Sequence, residues 1–102
     1  MVDIKNGTFG TAALQATDFQ TAASKSYGPF KPVPVSNWYT LDLSSGQSYI
    51  NKLSSAFGLT QIRLRFKLDD NNNTVANYLS LFSGNTSTVA NRPQLVITYY
   101  VP

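Results

Sequence analysis

Three cationic side chains recur at every second residue of the stretch 61–68, which reads Gln-Ile-Arg-Leu-Arg-Phe-Lys-Leu. In extended chain Arg63, Arg65 and Lys67 form a stripe on one face with a spacing of ~7 Å. Such a stripe can hold the repeating carboxylates or sulfates of an acidic polysaccharide, guanidinium forks matching planar anions and the ammonium acting as a point charge. The competing reading is a solvated sheet face, with Arg63 or Arg65 paired across strands to Asp42. Trp38 offers a flat face on which a sugar ring could stack, with Tyr27, Phe30 and Tyr100 as further candidates; ordinary packing, including cover for a sheet edge, is the alternative.

A second group of possible ligating atoms lies at 69–73, Asp-Asp-Asn-Asn-Asn. Asp69, Asn71 and Asn73 alternate carboxylate and amide oxygens, which could turn toward one calcium ion. Thr74 stands where a helix-loop-helix calcium site requires glycine, and the chain has no Glu, so that class is excluded. A looser calcium site competes with a plain Asx-rich turn.

Other chemistry is narrowed by what is missing. With no His and no Cys, neither a Ser-His-Asp nor a Cys-His arrangement can be assembled, and zinc, haem and iron–sulfur sites lose their usual ligands. Paired-carboxylate catalysis would draw on Asp3, Asp18, Asp42, Asp69 and Asp70. Only Asp69 and Asp70 are neighbours, in a turn, and the expectation is that this is not an enzyme.

The element that positions the stripe is a β-strand, because Ile62, Leu64, Phe66 and Leu68 alternate strictly with the polar residues. Its apolar face calls for a second covering layer. Further strands are expected at 37–43, 75–82 and 93–101, the last apolar on both sides. Val2 and Ile4 begin or end another, followed by a turn or hairpin at Asn6-Gly7. Thr17 to Gln20 has the form of a capping box, with an irregular loop as the alternative. Residues 26–34, with Pro29, Pro32 and Pro34, read as an edge segment or surface loop. Ser44 or Ser45 caps a short helix on which Tyr49, Ile50, Leu53 and Phe57 share one side, ending at Gly58.

At 102 residues the chain is at most one domain. Eight Lys and Arg against five Asp give a formal charge of +3, but charged residues make up only 13%. That is too sparse for a nucleic-acid footprint, and no apolar run is long enough to span a membrane. A surface of Asn, Ser, Thr and Gln suits secreted and cell-surface β-domains. The first residues lack the apolar run of a signal peptide, so any export signal is expected outside this chain. Asn6-Gly7-Thr8, Asn72-Asn73-Thr74 and Asn85-Thr86-Ser87 are formal glycosylation sequons.

The runs 38–43, 60–66, 69–73, 78–84 and above all 91–99, Asn-Arg-Pro-Gln-Leu-Val-Ile-Thr-Tyr, resemble the DNRLRE domains, also described as disaggregatase-related repeats. The resemblance covers most of 9–101. It implies an all-β, jelly-roll-like antiparallel β-sandwich with one or two short helices, carried by a secreted or cell-surface protein. It also implies that this chain corresponds to the C-terminal two-thirds of the module: either the sequence is cut there, or the missing strands come from another chain or another copy, without which the sandwich is incomplete. Two functions follow as expectations. One is non-catalytic polysaccharide binding through Arg63, Arg65, Lys67 and Trp38, without a required cofactor. The other is a structural module that self-associates through exposed strand edges into oligomers or filaments.

Overall fold

Val2, Asp3 and Ile4 are three consecutive buried residues. Side chains of a strand point alternately to its two faces, so a run buried without a gap belongs to a strand covered on both sides. In the computed structural model, which describes residues 1–52, 58–68 and 71–100, that strand is the middle of a three-stranded antiparallel sheet. β1 spans Val2–Asn6, β2 spans Lys25–Tyr27 and β3 spans Thr60–Leu64, in the order β2-β1-β3. The Val2–Ile4 signal, read from sequence as a strand end, is the centre of the sheet. The chain leaves β1 at Gly7, whose φ of 95° suits glycine, in a bend and not a hairpin.

The register places Val2 opposite Leu64 and Tyr27, and Ile4 opposite Ile62 and Lys25. These residues share the first face. A 3-10 helix, Ser44–Tyr49, covers part of it, with the Tyr27 hydroxyl donating to the Ser45 carbonyl at 3.1 Å. Just before this helix the Asp42 carboxylate accepts the Ser44 N–H at 2.8 Å, and its hydrogen bonds from Ser44 hold the Asp42 carboxyl below its usual range. Ile50 ends the helix in extended backbone, earlier than the sequence spacing predicts; residues 53–57 lie outside the described ones. Gly46 sits so close to the sheet that a Cβ there would stand 2.8 Å from Ile4 Cδ1. Full burial of Val2 and Ile4 contributes about 2 kcal/mol each.

Asp3, Ser26 and Arg63 share the second face. The chain from 8 to 22 roofs it, carrying a 3-10 helix, Ala16–Phe19. The predicted capping box is displaced: the Gln15 N–H donates to Asp18 Oδ2 at 2.9 Å, so Asp18 and not Gln20 closes the first turn. The expectation for β3 is also inverted. Ile62 and Leu64 remain 38% and 53% exposed, while Arg63 on the polar face is the better covered. The roof supplies cover where polar partners await it; on the apolar face the described residues supply the short 44–49 helix.

Residues 37–43, expected as a strand, form none. Val35 and Trp38 exchange N–H···O=C bonds of 2.9 Å around Ser36 and Asn37, whose φ values of 49° and 65° make a type I′ turn. The structure divides into two units, Met1–Asn71 with the sheet and Asn72–Pro102. The second contains a turn at Ser83–Thr86 and a 3-10 helix, Val89–Asn91. Its described residues include no strand, so the alternations at 75–82 and 93–100 lack a ladder. The all-β expectation thus holds as a small antiparallel sheet in a mostly non-helical chain.

Candidate functional site

Asp3 is the hub of the second face and has no exposed surface. Its Oδ2 accepts from Arg63 Nε at 2.9 Å, Arg63 Nη2 at 2.6 Å and Arg65 Nε at 2.8 Å. Its Oδ1 accepts from the Ser26 hydroxyl at 2.6 Å. Strand pairing makes this convergence unavoidable, because Arg63 and Ser26 are the residues opposite Asp3 on its two neighbours. Burial alone would raise the Asp3 pKa; the bonds from Arg65, Ser26 and Arg63 outweigh it and bring the value down to about 2.

Arg63 reaches beyond the sheet. Its Nη1 donates to the Asp18 carbonyl and, at 3.0 Å, to the Thr21 carbonyl, while its guanidinium lies 4.4 Å from the Phe9 ring centroid. A single side chain therefore joins β3 to β1 and to two points of the roof. Asp42, the partner named in the competing reading of the stripe, accepts the Ser44 N–H instead. Asp18 Oδ1 is buried with no donor among the described residues, and it and Gln15 Oε1 both face Gly10.

The predicted contact residues thus separate. Arg63, 13% exposed, and Arg65, 36% exposed, converge on Asp3. Lys67 follows β3 in exposed chain, and Trp38 stands in the Val35–Trp38 turn with Tyr39 beside it, both 40% exposed. Of the calcium candidates, Asp69 lies outside the described residues, while the Asn73 amide oxygen accepts the Val75 N–H at 2.9 Å in an Asx turn. Sequence reasoning missed Ser26 and Phe9, and named Asp3 and Asp18 only as carboxylates that catalysis could draw on. A signal was present: an acid between Val2 and Ile4 must face away from the apolar side, as the cationic stripe does.

A cleft of about 480 Å³ lies beside β3. Its lining includes Phe9, Leu14 and Phe19 from the roof and Ile62, Arg63 and Leu64 from the strand. Neighbouring residues of a strand point to opposite faces, so a cleft that meets all three meets β3 along its edge. That edge is open. Met1 and Arg65 exchange both main-chain bonds, at 3.0 and 3.2 Å, which marks them as a hydrogen-bonded pair. The pattern alternates, so Arg63 and Gln61 direct their main-chain groups to β1, and Ile62 and Leu64 direct theirs away from it.

Comparison with protein families, curated proteins and solved structures finds no match.

Proposed function

We propose that this chain is a non-catalytic structural module of a secreted or cell-surface protein that associates with its own copies through unpaired strand edges. The observation that carries this reading is the outward main-chain edge of β3 at Ile62 and Leu64, whose side chains are also half-exposed. An edge of this kind is a template for another strand. The resemblance to DNRLRE modules supports the same reading, since their jelly-roll-like sandwich needs more strands than this sheet holds. Light scattering across a concentration series tests it: mass should rise with concentration, and a monodisperse monomer throughout would sink the proposal.

Polysaccharide binding is the second reading, favoured by the adjacent exposed rings of Trp38 and Tyr39 and by Lys67. Arg63 supports it less than the sequence did, because Asp3 and the roof carbonyls occupy its guanidinium. Retardation gels with acidic and neutral glycans test this reading. Loss of retardation in Trp38→Ala and Lys67→Ala would support it, and no retardation by any glycan would refute it.

A further inference from the structure

We propose that the cleft beside β3 receives the 93–100 segment of a second copy as an added strand. The proposal rests on the self-association reading and names the surfaces that meet. On the receiving side, Ile62 and Leu64 offer main-chain N–H and C=O groups at the open edge. The cleft wraps that edge, with Ile62 and Leu64 on one face of the strand and Phe9 packed against Arg63 on the other. An entering strand would meet Ile62 and Leu64 on one side and, on the other, the roof residues Phe9, Leu14 and Phe19 beside the polar Asp18, Gln61 and Arg63, so it needs apolar residues on both of its sides.

The segment 93–100, Pro-Gln-Leu-Val-Ile-Thr-Tyr-Tyr, meets that requirement. Leu95, Ile97 and Tyr99 fall on one side, and Val96 and Tyr100 on the other. All five are exposed, and the described residues give them no ladder partner. The segment carries no charge. Its length exceeds the five residues of β3, so the whole edge can be paired. Main-chain bonds would supply affinity and the alternating side chains would fix register, as in other strand-addition interfaces. Reciprocal exchange closes a dimer, and one-way donation builds filaments.

The chain has no Cys, so single introduced thiols report the contact directly. Leu64→Cys is mixed with Leu95→Cys, Ile97→Cys or Tyr99→Cys in turn and oxidised. The expected result is a mixed disulfide dimer, more abundant than either self-linked dimer, for at least one pairing. Ile62→Pro removes an edge N–H that serves no bond to β1; it should abolish concentration-dependent mass while circular dichroism and the melting curve stay those of a folded sheet. An intramolecular disulfide in the double variant Leu64→Cys/Ile97→Cys would overturn the proposal. Oligomers that persist in Ile62→Pro and form no mixed disulfide would overturn it while leaving self-association standing. A concentration-independent monomer would overturn both.

Discussion

The Asp3 carboxylate and the Arg63 guanidinium, directly opposite each other on neighbouring strands, meet at 2.6 Å with Asp3 fully buried. Removing the carboxylate's charge takes from Arg63 and Arg65 the buried anion they share. Asp3→Asn should therefore destabilise the protein by about 3 kcal/mol, since breaking a buried pair costs more than the pair contributes. Urea denaturation measures the loss. A change within experimental error would show that the cluster is not structural.

The same carboxylate makes stability depend on acid. Its pKa is about 2 in the folded protein and 3.8 at its ordinary value, so the unfolded chain binds the proton more tightly. The contribution is complete above pH 3.8 and fades as pH falls toward 2. On the order of 2 kcal/mol should be lost across that window. Melting temperatures of the native protein and Asp3→Asn should converge there, and parallel curves would contradict the assignment.

The two arginines should respond unequally to lysine. Arg63→Lys forfeits the reach to Asp3, Asp18 and Thr21 at once and should cost about 2 kcal/mol. Arg65 is more exposed and should tolerate the same change for roughly 1 kcal/mol or less. Chemical denaturation of both variants gives the ranking.

Two glycines should differ in the same way. Gly46→Ala presses a methyl against the tip of the buried Ile4 side chain and should cost about 1 kcal/mol. Gly28→Ala meets the Phe30 main-chain nitrogen at 2.8 Å and must also hold a φ of 106°. The backbone cannot yield as a side-chain tip can, so Gly28→Ala should cost more, about 3 kcal/mol. Thermal melts of the pair test the order.

Strict alternation over 61–68 announced β3, of which the structure keeps Thr60–Leu64 as strand. The sequence concealed β1, where an acid between two aliphatic residues reads as a weak strand end. Its strength comes from Ser26 and Arg63, which lie 23 and 60 residues away. Alternation at 75–82 and 93–100 describes what a strand would look like, not whether a partner is present to pair with it. The cationic stripe was visible as chemistry; Asp42, the anion of its competing reading, is held by the local backbone of Ser44. The type I′ turn at Ser36 and Asn37 had a faint signal in Asn37, a residue that tolerates positive φ.

The alternation of Val2, Asp3 and Ile4 also bears on how the strands find their alignment. A slip of one residue would carry the carboxylate among the aliphatic side chains and set a valine against the guanidinium. Misaligned pairings would hold an unmatched buried charge, which disfavours them against the native register. The ion pair proofreads the sheet. A foreign strand invading beside β3 in place of β1 would pass that check only if it carried an acid at the one matching position.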